Sequence, residues 1–266
     1  MLKVSCFMNR TQLINSIRKK LSNNKVSLGS WIQIPNSSVA EIIGRVGFDW
    51  IAVDMEHGSI SVNQLPNLFR ALELGNTLPF VRVSQGKQKD CKQALDAGAA
   101  GVILPNVQDS EELKETIDYC RFPPAGKRGV AYSRANLFGQ NFRAYCKEAQ
   151  NPIIVVMIES IKAVQNLEEI LEVKGIDAIL VGPYDLSASI GITGDFKNTE
   201  YKKNLKKILN TCKKKKIPAG IHCVNPTNNE VNKIINADYK FIACAMDAIM
   251  LRKSAMEIFS LFKNKI

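Results

Sequence analysis

The sequence predicts an α/β fold, a (β/α)8 TIM barrel, on three observations. Short β-rich runs alternate with longer amphipathic segments along the chain, as in repeated βα units feeding a parallel sheet. Eight such runs are present, the number that closes a barrel. Several of them, above all Ile153-Ile-Val-Val-Met-Ile158, are apolar at every position, which is how strands covered on both faces read.

A helical start is expected over 11–21, followed by strands at 27–34, 50–55, 80–83, 101–105, 153–158, 178–181, 219–223 and 241–245. Gly47, Gly98 and Gly175 precede strands and mark helix C-caps and αβ turns. The connection 108–151 is too long for a simple βα unit and carries Pro123-Pro-Ala-Gly-Lys-Arg-Gly129, so it is either a functional loop or a rigid bend. The segment 249–262 has an apolar-faced helical pattern, expected to pack on a neighbouring subunit or to serve as an ordinary last barrel helix. No GxGxxG follows the first strand, which removes support for a doubly wound dinucleotide-binding sheet.

The 266 residues fit one domain spanning 1–266, and 45% hydrophobic residues allow a large core. No apolar run is long enough for a membrane span, and no signal-peptide pattern opens the chain, so a cytoplasmic protein with no membrane partner is expected. The seven cysteines, scattered without a CxxC pair, suit a reducing compartment and exclude a cysteine-based metal centre. A net charge of +11 raises the question of nucleic acid, but the lysines are dispersed over helical segments. The one dense run, at 213–216, falls where cations complement a helix C-terminus. Nucleic acid is therefore not an expected partner.

In a barrel, the C-terminal strand ends converge on one mouth, where barrel enzymes place their chemistry. Here those ends supply Asp54-Met-Glu-His57, Arg82, Glu159 and Gly182-Pro-Tyr-Asp185, which brings one histidine, one arginine and four carboxylates around a common cavity. A histidine alone or an arginine beside a carboxylate is commonly structural. Their joint occurrence after apolar strands is not explained by packing, because buried charges demand partners or a metal. Glu159 and Asp185 offer oxygen ligands to a hard divalent cation, and too few histidines or cysteines accompany them for zinc. No strand core carries a lysine suited to Schiff-base chemistry; Lys162 and Lys240 fall at the wrong ends of their elements.

These segments resemble the HpcH/HpaI aldolases, the class II pyruvate aldolases, over nearly the whole chain. The matching segments are Leu28-Gly-Ser-Trp31, Gly47-Phe-Asp-Trp-Ile-Ala-Val-Asp-Met-Glu-His57, Val81-Arg-Val83, Pro123-Pro-Ala-Gly-Lys-Arg-Gly129, Ile158-Glu-Ser160 and Gly182-Pro-Tyr-Asp-Leu-Ser-Ala-Ser189. The resemblance implies reversible, metal-dependent cleavage of a 4-hydroxy-2-oxo acid to pyruvate and an aldehyde. It implies His57 as general base, oriented by Asp54, and Arg82 on the keto oxygen of pyruvate. Glu159 and Asp185 would hold Mg2+, Mn2+ or Co2+. Gly182, Pro183, Tyr184 and Ser187 would border the substrate, with backbone amides of that turn on the pyruvate carboxylate. Asp96 matches a family aspartate. The family's assembly implies a homo-oligomer, a hexamer or trimer of dimers. Two positions depart from the pattern: Met157 stands where a glutamine is usual, and Tyr184 where an alanine is common. Two other readings stay open, a citrate-like or acyl-thioester lyase or synthase on the same scaffold, and a non-catalytic barrel with a binding role.

Overall fold

The computed structural model of the protein describes residues 10–263, so Cys6 and the two ends of the expected 1–266 domain lie outside the described residues. The chain runs α1 (Arg10–Ser22), β1 (Ser27–Ile32), α2 (Ser37–Gly44), β2 (Trp50–Asp54), α3 (Leu65–Glu73), β3 (Leu78–Arg82), α4 (Gln88–Ala97), β4 (Gly101–Leu104), α5 (Ser110–Cys120), α6 (Phe142–Glu148), β5 (Ile153–Ile158), α7 (Ile161–Gln165), α8 (Leu167–Ile170), β6 (Ala178–Val181), α9 (Pro183–Ala188), α10 (Thr199–Lys215), β7 (Gly220–Cys223), α11 (Asn228–Asn236), β8 (Phe241–Cys244) and α12 (Asp247–Lys263). All strand pairs are parallel, and β8 returns to β1 to close an eight-stranded barrel.

Two strand boundaries differ from expectation for identifiable reasons. β1 stops at Ile32 because the N–H groups of Gln33 and Ile34 leave the ladder and donate to the Asp247 carboxylate at 3.0 and 2.9 Å. β3 starts at Leu78 and includes Pro79, which pairs with Ile51 and accepts the Ala100 N–H through its carbonyl at 2.7 Å. That carbonyl keeps the proline in the ladder although it brings no donor.

The period-two alternation of the strands divides the apolar side chains between two layers. Ile51, Val53, Val81, Val102, Ile154 and Val156 face outward under the helices. Trp31, Trp50, Ala52, Phe80, Val155, Met157, Phe241 and Ala243 fill the barrel interior. Trp50 stacks on Phe241 with centroids 4.4 Å apart, and a side chain at Gly29 would collide with the Trp50 ring. Large rings against glycine fill the interior, so the barrel is a packed core and not a channel. The N-terminal helix α1 closes the far end: Ile14, Ile17 and Leu21 join the interior cluster. Its Arg10 donates to the carbonyls of Gly98 and Ala99 at 2.7 and 2.6 Å, and Arg18 pairs with Asp177 at 2.7 Å.

The long connection contains α5 and α6 and is anchored by Arg128, whose side chain is fully buried. Its guanidinium donates to the Cys120 carbonyl and the Tyr145 hydroxyl at 3.1 and 2.8 Å and lies 4.2 Å from the centre of the Phe122 ring. Asp96, on α4, faces this arginine at 3.9 Å. Lysines at the end of α10 meet the acidic side chains of the preceding helix region, Lys214 with Glu168 and Lys215 with Glu172. Among the described residues no helix is long and apolar enough to cross a membrane.

Helix α12 does not lie on its own barrel as an ordinary eighth helix does. Asp247 is its one buried residue, while Leu251, Met256, Ile258, Phe259, Leu261 and Phe262 are all exposed.

Candidate active site

Asp54 and Arg82 end adjacent strands as register partners, which places both side chains on one face at the mouth. Arg82 Nε and Nη2 donate to the two Asp54 oxygens at 2.9 and 2.7 Å, a bidentate pair with Asp54 fully buried. Burial favours the neutral acid, but the Arg82 bonds and the Gln33 amide at 2.8 Å outweigh it and hold Asp54 below the usual carboxylate range. The guanidinium also lies 4.6 Å from the Trp31 ring centre, and Trp31 in turn meets His222 at 5.5 Å. Burial pushes the His222 imidazole down to about 4, so it stands neutral beside this arginine at neutral pH.

The turn after β2 carries Glu56 and His57. Asp54 was expected to orient the His57 ring; instead its carboxylate, engaged by Arg82, accepts the backbone N–H groups of Glu56 and His57 at 3.1 and 3.2 Å. It fixes the turn rather than the imidazole. The neighbour of the ring is Glu56, with His57 Nε2 3.8 Å from Oε2, and the His57 side chain is half exposed at the mouth. Glu56 Oε2 also faces Arg82 Nη1 at 3.2 Å.

Glu159 is the first residue past β5 and is nearly buried. Burial, reinforced by Glu56 and Asp185, pushes its carboxyl up to about 7, against the opposing pull of the Asn106 N–H and Arg82. Asn106 donates its backbone N–H to Glu159 Oε1 at 2.6 Å and its side-chain amide to Glu56 Oε1 at 2.9 Å. The second oxygen of Glu159 faces the β6–α9 turn, where a Cβ on Gly182 would come within 2.6 Å of it. Glycine at 182 is thus a condition for Glu159 to reach the turn that carries Asp185.

Three carboxylates, Asp54, Glu56 and Glu159, therefore act on one guanidinium that Asp54 already engages on two nitrogens, and Asp185 adds its charge beside Glu56 and Glu159. The donor set fits a divalent cation, because hard oxygen ligands and surplus negative charge are what such an ion compensates. Among the described residues no three histidine, cysteine, aspartate or glutamate side chains are already drawn together as ligands of one ion. A cation here would rest on Glu159 and Asp185, with the remaining positions open to water and substrate.

The 182–189 segment is partly available to a substrate. Pro183 opens α9, and the N–H groups of Tyr184 and Asp185 belong to its first turn, where helical amides lack intrahelical acceptors. Tyr184 is exposed and packs edge-on against Phe196 at 5.1 Å. Ser187, expected to border the substrate, is fully buried; its hydroxyl donates to the Tyr184 carbonyl at 2.8 Å and accepts the Gly194 N–H at 3.0 Å. It shapes the turn from beneath. Met157, the departure from the usual glutamine, sits inside the barrel with its sulfur 3.7 Å from Arg82 Nη1, so a thioether borders the guanidinium. Among the described residues no lysine is buried.

The sequence reading missed roles for Glu56, Gln33, Trp31, Asn106 and His222. Glu56 lies inside the Asp54-Met-Glu-His57 run, so position past a strand end was its available signal, whereas Gln33 fell inside the expected strand 27–34 and had none. Asn106 directly follows the expected strand 101–105, but its role depends on a loop conformation that this position does not reveal.

Comparison with known proteins identifies the family. The profile of the HpcH/HpaI aldolase/citrate lyase family matches residues 27–254. A hydroxypyruvate/pyruvate aldolase of Roseobacter denitrificans is 32% identical over 94% of this chain and 98% of its own. A 5-keto-4-deoxy-D-glucarate aldolase of Escherichia coli is 30% identical over 97% of this chain and 100% of its own. The crystal structure of a HpcH/HpaI aldolase/citrate lyase family protein from Burkholderia cenocepacia superposes with a TM-score of 0.88 at 28% identity, covering 94% of this chain and 99% of that one. With a closed barrel and a profile match over residues 27–254, the chain belongs to the HpcH/HpaI aldolase/citrate lyase family.

Proposed function

We propose that the protein is a carbon–carbon lyase that reversibly cleaves a 4-hydroxy-2-oxo acid to pyruvate and an aldehyde, aided by a divalent cation on Glu159 and Asp185. The observation that carries this reading is the surplus of carboxylate over positive charge at the mouth, next to a half-exposed histidine and a buried arginine. The named activities of the two aldolase relatives support the reaction class. Glu159 and Asp185 would hold a cation whose chemical contribution would be Lewis acidity toward the substrate.

The chain's own residues divide the remaining work. His57 takes the proton from the C4 hydroxyl. The C3–C4 bond then breaks, C4 leaves as the aldehyde carbonyl, and the electron pair passes toward the C2 oxygen of the pyruvate half. Arg82 turns Nη1, which borders the Met157 sulfur and Glu56 and is the one nitrogen Asp54 does not engage, toward that developing negative charge. The amides of Tyr184 and Asp185 face the pyruvate carboxylate. Proton return to C3 releases pyruvate.

Activity is expected to require Mg2+, Mn2+ or Co2+, because carboxylates with water make a hard, exchangeable site. The check is a screen of pyruvate with short and hydroxylated aldehydes, with each ion and after exhaustive chelation. Full activity in the chelated protein overturns the cation assignment, and no product with any aldehyde overturns the lyase reading.

The same proposal includes a homo-oligomer, a hexamer or trimer of dimers, built with α12. This helix exposes Leu251, Phe259 and Phe262, while Ile42 and Val46 of the α2 region and Val231 and Ile235 of α11 stand exposed on the barrel. These flank the place where the helix after β8 normally packs, so the α12 of a second copy is the occupant argued here. Each large apolar side chain buried there contributes about 1.5–3 kcal/mol. Light scattering is expected to give a multiple of the monomer mass, and Phe259→Glu with Phe262→Glu a smaller species. A native monomer at micromolar concentration refutes this.

A further inference from the structure

Asn106 lies in the β4–α5 connection, outside every segment that carries the reacting groups, and its backbone is in the left-handed region at φ 54°. Asparagine tolerates that region better than most side chains. The conformation turns both of its donors to one side: the backbone N–H reaches Glu159 Oε1 at 2.6 Å and Nδ2 reaches Glu56 Oε1 at 2.9 Å. A carboxylate only accepts, so the amide group facing Glu56 is the NH2. Glu56 is then hydrogen-bonded at Oε1 by Asn106, while its Oε2 faces Arg82 Nη1 at 3.2 Å as an ion pair without a hydrogen bond. Glu159 is held at one oxygen, leaving the other toward Gly182 and the turn that carries Asp185.

We infer that Asn106 is a positioning residue for the lyase reaction, a two-donor clamp that fixes Glu56 against Arg82 and His57 and aims the free oxygen of Glu159 at the cation position. The inference rests on the lyase reading of the site. Its two arms are separable. Glycine at 106 keeps the left-handed backbone and the N–H to Glu159 and deletes only the amide to Glu56. Aspartate keeps the size and places an acceptor oxygen against the Glu56 carboxylate.

The test uses Asn106→Gly, and Asn106→Asp in the native and Glu56→Gln backgrounds. It reads kcat and KM for cleavage, the Mn2+ dissociation constant by calorimetry, and the thermal unfolding midpoint. For Asn106→Gly, kcat is expected to fall by about tenfold, the scale of one hydrogen bond to a charged group. Mn2+ affinity and the unfolding midpoint should stay near native, since the Glu159 arm persists; a kcat within twofold of native overturns the clamp. Asn106→Asp should cost about tenfold or more in the native background and under about twofold with Glu56→Gln, where the glutamine amide donates to the new carboxylate and restores the bond with its polarity reversed. Equal losses in both backgrounds overturn the inference. If the native protein cleaves no 4-hydroxy-2-oxo acid, the lyase reading fails by itself. The cycle then stands on the unfolding midpoint: a smaller drop for Asn106→Asp with Glu56→Gln supports the contact, and an equal drop refutes it.

Discussion

Replacing Arg82 by lysine is expected to lower aldol cleavage and proton exchange at the pyruvate methyl together, each by about two to three orders of magnitude, the scale of losing a preorganised donor to an oxyanion. The reason is geometric. The native guanidinium donates to both oxygens of Asp54, keeps Nη1 toward Glu56 and the cavity, and stacks on Trp31. A lysine ammonium is a point charge that serves Asp54 or the substrate but not both in that arrangement. Asp54 is fully buried, so its weakened pairing should also destabilise the fold by about 1–3 kcal/mol. Steady-state cleavage, deuterium exchange followed by NMR and the unfolding midpoint measure the three effects. Both reactions surviving at a third of the native rate would remove Arg82 from charge stabilisation.

Replacing His57 by alanine should fail differently. Cleavage is expected to drop by about two to four orders of magnitude if general-base catalysis is its main contribution. Pyruvate and Mn2+ binding should persist, because the ring is half exposed and bonds neither Glu159 nor Asp54. Stability should change by no more than about 0.5 kcal/mol, as for surface substitutions generally. The measurement sets cleavage rate beside metal-dependent pyruvate binding on protein of unchanged fold. Near-native cleavage makes His57 a bystander and the assigned proton path wrong.

Much of this architecture was legible in the sequence because barrel strands buried on both faces leave apolar runs with sharp polar ends. Those ends located Asp54, His57, Arg82, Glu159 and Asp185 before any coordinates. What stayed hidden depends on register or conformation. The direct Asp54–Arg82 pairing follows from β2 and β3 being in register at those two residues, which neither strand's composition encodes. It is also why Asp54 holds a backbone turn where an imidazole contact was expected. Asn106 needed a left-handed φ to matter, and loop conformers of that kind carry no periodic signal. Ser187 shared a motif with substrate-facing residues, but helix α9 turns it inward. For α12, the same amphipathic pattern serves a helix on its own barrel and one that projects, so sequence left both open.

The pairing of β1 with β8 has a consequence for how the chain is made. Strand edges attract other strands, and closure is the one arrangement that removes both. During synthesis the open edge of β1 waits until Phe241–Cys244 has emerged, and the Asp247 carboxylate that secures the backbone of Gln33 and Ile34 arrives later still. The nascent barrel therefore spends nearly its whole translation as an open sheet with two sticky sides, protected only by the helices already laid over it. Its most hazardous moment comes just before the last strand, when the core is largest and the ring is still broken.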